Sequence, residues 1–350
     1  MKKLIIIAAA LLCLASCAKV EKQQTVESSA ISFKVVNYLQ QTKAPTAYTG
    51  DAFGVFAYWT ATDWATDGDA NRYMTNDKVV QSPDYAPEGE WGPVSARYWT
   101  KTGKLTFAAY SPYTDGAGQG FSAVPSFSKA KGFEFKDFTI SANSNVDLMV
   151  ADLAKDKTKN DPEYMVSGNK DGVPILFRHV LSRIAFRFAT VENPNPNVED
   201  TQIIIHSVTI KGIKDNGDYT QNNDPVWAGQ TGNASYDFNP ATGGDITVNP
   251  GDEGQGTDVD SRILLPQTLT EGGQQIEISY TIRTKYESNP EWAEEDVTAT
   301  ADLVTDEVPS WDPNMSLVYT ITIDPVSKDP ILFDPAVAEW ESVATGALTL

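Results

Sequence analysis

Ile276, Ile278, Tyr280 and Ile282 alternate with Glu277, Ser279, Thr281 and Arg283, and this period of two is the feature that most constrains the chain. Successive side chains of a strand point to opposite faces, so such a stretch predicts a half-buried strand with one wet face. The pattern returns at Val297-Ala299-Ala301-Leu303 and at Leu317-Tyr319-Ile321-Ile323. Earlier instances are Ile31-Phe33-Val35, Leu105-Phe107-Ala109, Phe133-Phe135 and Ile184-Phe186-Phe188. Beyond the N-terminal leader no stretch carries the 3.6-residue period of a long amphipathic helix. Many short strands separated by Gly, Pro, Asn and Asp predict an all-β protein built of β-sandwiches. Asn216-Gly217 is read as a hairpin turn supplying positive φ.

The only two cysteines, Cys13 and Cys17, sit in the leader. Met1-Lys2-Lys3 is a short basic start, and Leu4 to Ala15 is an uncharged apolar run shorter than the ~20 residues that span a bilayer. Leu14-Ala15-Ser16-Cys17 closes it in the manner of a bacterial lipobox, which predicts cleavage before Cys17 and acylation of its sulfur. Residues 1–16 are then a lipoprotein signal peptide and 17–29 a polar tether. The fold beyond has no cysteine and must hold by core packing alone. "VENPNPNVED", Val191 to Asp200, cannot continue a central strand, because proline has no N–H to donate. The expected domains are therefore 30–192 and 193–350.

The formal charge of −20 repels phosphate backbones and excludes nucleic acid as a partner, while 41% hydrophobic residues suffice for a core. His179 and His206 are the only histidines, both in strand-like runs, and no cysteine joins them at metal-ligand spacing. HExxH, GxSxG and P-loop patterns are missing. Asp67-Gly-Asp69-Ala-Asn71 opens like a calcium loop, but Arg72 and Lys78 stand where glycine and the bidentate glutamate are required. No enzyme activity, metal or cofactor is expected. Trp59, Trp64, Trp91 and Trp99 form a candidate glycan platform, with core packing as the competing reading. A surface glycan-binding lipoprotein is accordingly the alternative function.

The lipobox, the segment "TKAPTAYTGDAFGVFAYW", "DLMVAD" at 147–152, "VPILFRHVLSRIAFRF" at 173–188 and the terminal "ILFDPAVAEW" together resemble the fimbrillins, lipoprotein subunits of type V pili. The resemblance implies two transthyretin-like β-sandwich domains in tandem and a structural or adhesive role in a fimbria on the outer membrane. It implies assembly by donor-strand exchange with other pilin subunits, membrane attachment through lipid on Cys17, and host or bacterial surface ligands. An N-terminal strand carrying Ile31, Phe33 and Val35 would be removed by cleavage between Lys43 and Ala44. The donor would come from the region of Leu317, Tyr319, Ile321, Ile323, Phe333 and Trp340. One departure stands out: no arginine occurs between Cys17 and Arg72, so a protease strict for arginine would leave the strand and lipid in place.

Overall fold

A computed structural model describes residues 30–36, 48, 50–86, 90–141, 145–161, 172–222, 226–238, 244–250, 257–258, 260–326 and 332–338. The first half of the chain contributes β1 (Phe33–Val36), β2 (Ala52–Thr60), α1 (Trp64–Asp67), β3 (Arg72–Val80), β4 (Gly92–Pro93), β5 (Lys104–Ser111), β6 (Ser126–Ser128), β7 (Gly132–Thr139), β8 (Met149–Ala151), β9 (Ala154–Lys157) and β10 (Val173–His179). The second contributes β11 (Ser182–Thr190), β12 (Val198–Ile213), β13 (Asn216–Thr220), β14 (Trp227–Thr231), β15 (Ala234–Asp237), β16 (Ile246–Val248), β17 (Thr257–Asp258) and β18 (Arg262–Leu264). After these come β19 (Gln267–Thr268), β20 (Gln275–Tyr286), β21 (Asn289–Asp302), β22 (Ser310–Trp311), β23 (Ser316–Ile323) and β24 (Leu332–Ala338). The protein is all-β, as the alternation predicts.

The largest sheet runs β1-β10-β8-β5-β2-β3-β4, with β9 beside β5. Its interior strand β2 is buried on both faces. Phe53, Val55 and Ala57 point into a core with Phe33 and Phe107, while Phe56 and Tyr58 point into a second core. In that second core Phe133, Phe135 and Phe138 of β7 face them from the sheet β14-β13-β7-β6. Several aromatic pairs there meet edge to face, as Phe56–Phe133 does at 5.7 Å, one of the arrangements that ring quadrupoles favour.

The second half is a sandwich of two sheets, β17-β11-β23-β24 and β15-β12-β20-β21. Ile184, Phe186 and Phe188 of β11 and Leu317, Tyr319 and Ile321 of β23 are buried in one core with Ile276, Ile278 and Tyr280 of β20. Each fully buried side chain of this kind contributes about 1.5–3 kcal/mol relative to exposure. Tyr319 keeps its hydroxyl satisfied inside the core, accepting from Trp311 Nε1 at 2.9 Å and donating to the Leu303 carbonyl at 3.1 Å.

One local expectation gives way. Asn216-Gly217 is no hairpin turn: both residues open β13, which pairs with β7 and β14 and not with β12. The positive φ falls instead at Gly212, where the chain leaves β12 for the other sheet. The segment 191–197 does link β11 to β12. Among the described strands β11 pairs only with β17, β18 and β23, while β13 pairs with β7, so strand pairing reaches across the Asn-Pro run.

Candidate functional site

The N-terminal strand β1 is held along both edges. On one side it pairs in parallel with β10, Phe33 opposite Val173 and Val35 opposite Ile175. On the other, Phe33 N–H donates to the Trp91 carbonyl at 2.7 Å and Trp91 N–H donates back at 2.8 Å. Ile31 N–H donates to the Arg97 carbonyl, and Ala30 bridges Tyr98. Since Trp91 adjoins β4 at the far edge of the same sheet, β1 closes that sheet around its own side chains.

Alternation decides which side chains enter. Ile31 and Phe33 point inward and are fully buried, Lys34 points out, and Val35 packs at the core's margin. The Phe33 ring meets Phe107 at 5.4 Å and Phe53 at 6.0 Å, both edge to face. Gly172 makes room for the strand, because a Cβ there would lie 2.5 Å from the Phe33 backbone nitrogen. A short segment joined to the remainder only through 37–47 thus supplies the centre of a core.

Tyr48 stands where the chain re-enters that core. Its ring stacks on Phe177 at 5.2 Å and meets Trp91 edge to face, and its hydroxyl lies 2.6 Å from Ser111 Oγ. Burial raises its pKa from 10.0 to about 12, partly offset by the Ser111 hydrogen bond. The neutral phenol is therefore the form the fold favours. Its contribution to stability is fully present below pH 10 and is lost as pH rises through about 12. Alkaline titration followed at the tyrosinate band should show Tyr48 ionising late, well above pH 10, and together with unfolding. A single uniform transition near pH 10 would contradict this.

The tryptophans do not make one platform. Trp64 and Trp91 are buried, Trp64 in the second core and Trp91 against β1. Trp59 and Trp99 are half-buried, Trp59 donating Nε1–H to the Thr102 carbonyl and Trp99 packing edge-on to Phe107. Stacking on a sugar needs an open aromatic face, and these rings are turned toward protein.

At the C-terminal end, Leu317, Tyr319, Ile321 and Ile323 lie in β23, an interior strand between β11 and β24. Phe333 lies in β24 opposite Ile321, and among the described strands β24 is the edge of its sheet. Cys17, Lys43, Ala44 and Trp340 lie outside the described residues.

The histidines are separate. His179 Nδ1 pairs with Asp147 at 2.9 Å, whereas His206 Nε2 meets Thr281 Oγ1 at 2.7 Å. His206 sits at a register shift between Ile205 and Ser207, a β-bulge that the sequence signals by moving its buried positions from Ile203 and Ile205 to Val208 and Ile210. Among the described residues no group of three or more His, Cys, Asp or Glu is placed to hold a metal ion.

A family model described as fimbrillin-like matches residues 42–340. A fimbrial protein from Bacteroides vulgatus shares the fold with a TM-score of 0.59 at 21% identity, over 89% of this chain and 99% of that one. A candidate cell adhesion protein from Bacteroides uniformis does so with a TM-score of 0.51 at 17% identity, over 89% and 97%. No curated protein sequence matches the chain.

Proposed function

Because the chain belongs to the fimbrillin-like family, we propose that it is a structural or adhesive subunit of a cell-surface fimbria and joins its neighbours by exchanging terminal strands. The observation that carries this reading is β1 itself. It is hydrogen-bonded on both edges and carries the fully buried Phe33, yet it lies at the very start of the described fold. Its departure would leave a slot edged by β10 and by Trp91, with Phe53 and Phe107 at its floor. An incoming strand would regain the backbone bonds along both edges and set alternate side chains into the same places.

We assign the donor role to β24 and the residues after it rather than to β23. An edge strand can leave without splitting its own sheet, whereas β23 is bonded on both sides. Cys17 holds the chain to the outer membrane through lipid, and cleavage after Lys43 frees β1. Catalysis forms no part of this role, in keeping with a family of fimbrial and adhesion proteins.

Mass spectrometry of the N-terminus of protein recovered from the cell surface tests the proposal. A chain starting at Ala44 is the expected result and means an opened slot. A lipidated Cys17 with residues 30–36 still attached would overturn exchange at this slot and leave a membrane-held subunit that only terminates a fibre.

A further inference from the structure

Isoleucine and phenylalanine two residues apart, followed by a charged residue, occur four times in the chain: Ile31-Ser-Phe33-Lys34, Ile175-Leu-Phe177-Arg178, Ile184-Ala-Phe186-Arg187 and Ile331-Leu-Phe333-Asp334. In the first three the isoleucine is buried, and the phenylalanine is buried or packed at a core's margin. Lys34, Arg178 and Arg187 stand on the wetter face. The motif is thus a core-filling pair followed by a wet position. Two copies are locked inside sheets, since β10 is bonded to β1 and β8, and β11 to β17, β18 and β23. The other two belong to the first and last of the described strands, β1 and β24. Ile331, which opens the fourth copy, lies outside the described residues.

A proline limits how β24 can sit in the place of β1. Ile31 N–H and Phe33 N–H donate away from β10, to the Arg97 and Trp91 carbonyls, whereas the Ser32 carbonyl accepts from Val173 N–H on the β10 side. Backbone groups alternate sides along a strand, so the N–H groups of Lys34 and Val36 serve β10 and that of Val35 does not. β24 carries Pro335, which has no N–H to donate. In the place of Lys34 or Val36 it would interrupt the ladder with β10. In the place of Ile31 or Phe33 it would forfeit the bond to Arg97 or Trp91, and at Phe33 it would leave the space between Phe53 and Phe107 unfilled. In the place of Val35 it costs the β10 ladder nothing. Phe333 then falls where Phe33 was, as the shared motif requires.

We infer that the slot left by β1 takes β24 of a second copy in one register, parallel to β10, with Phe333 in the place of Phe33, Pro335 in that of Val35 and Ala336 opposite Leu176. The inference rests on the strand-exchange reading and adds to it the register and the residues that select the donor. Two features select it. The space between Phe53 and Phe107 calls for an aromatic ring two residues before the proline, and the β10 edge rejects a proline one residue to either side. A slip of one residue would also turn the donor's apolar side chains to the wet face.

Four full chains, each with one new cysteine, test the register: Pro174→Cys and Leu176→Cys as acceptors, Asp334→Cys and Ala336→Cys as donors. Cys13 and Cys17 lie in the leader, so each introduced thiol is the only one in the fold. One acceptor and one donor chain are produced together in cells that assemble fibres of this protein, and the recovered fibres are treated with a mild oxidant. β1 sets Lys34 opposite Pro174 and Val36 opposite Leu176. In the inferred register position 334 therefore faces 174 and position 336 faces 176, with Cα atoms about 5 Å apart and within reach of a disulfide. The crossed pairs, 174 with 336 and 176 with 334, lie about 8 Å apart and beyond that reach.

On non-reducing gels the matched pairs should give at least about tenfold more covalent dimer than the crossed pairs. Either matched pair suffices, should one substitution disturb its strand. Crossed pairs that cross-link as well as the matched ones, or better, overturn the register and leave exchange at this slot standing. Fibres that contain both chains but in which no pair cross-links overturn the register and the exchange reading together, because the slot is then filled by another strand or never opens.

Discussion

Replacing Phe33 with alanine should lower stability by about 3–5 kcal/mol, the range for removing a fully buried phenylalanine. The side chain has no exposed surface, and its ring is gripped edge-on by Phe53 and Phe107. The cavity would open at the seam where β1 closes its sheet, so the loss is expected to free the strand as well as empty the site. Denaturant unfolding followed by tryptophan fluorescence measures it, since Trp91 shares backbone bonds with Phe33. Val35→Ala, at the core's margin, provides the comparison and should cost much less. A midpoint unmoved by Phe33→Ala would mean that the wall holds without its first strand, and that no slot opens when β1 leaves.

Deleting residues 332–350 should abolish entry into fibres, by at least about tenfold, while leaving export and the second sandwich intact. The deletion removes β24, which among the described residues is bonded only to β23, and exposes one edge of β23. The core formed by β11, β23, β12 and β20 keeps its members. Deletion from Leu317 is a different experiment. It takes Leu317, Tyr319, Ile321 and Ile323 out of that core, and it should unfold the second half outright. Fibre incorporation and protease resistance, measured on both deletions, tell the two effects apart. Normal incorporation of the shorter deletion would rule out the C-terminal segment as donor.

The strands themselves were legible wherever one face is wet. The alternations at 276–282, 297–303 and 317–323 became β20, β21 and β23, because a half-buried strand writes its burial into the sequence. Pairing was not legible. Nothing near Ser182–Thr190 reveals that its partners are Ser316–Ile323 and Arg262–Leu264, and nothing near Asn216–Thr220 reveals its pairing with Gly132–Thr139. Asn216-Gly217 has the composition of a turn, but long-range pairing with β7 fixed it in a strand. The tryptophans were ambiguous for a related reason: the same ring fills a core or covers a sugar, and only the neighbours decide. In β1 the sequence carried the alternation of Ile31, Phe33 and Val35 but no hint that Trp91 would close the other edge.

The parallel pairing of β1 with β10 has a consequence for the order of events during synthesis. Residue 33 leaves the ribosome long before residue 173, its partner across the strand. β11 waits in the same way for the residues from Ser316 onward. Contacts so distant along the chain form slowly, and until they form the early strands have unpaired edges that favour wrong association. The first strand made is therefore among the last to be seated. A holding chaperone would have its greatest use in that interval, and the seam closed last in folding is the one whose reopening disturbs the fewest earlier steps.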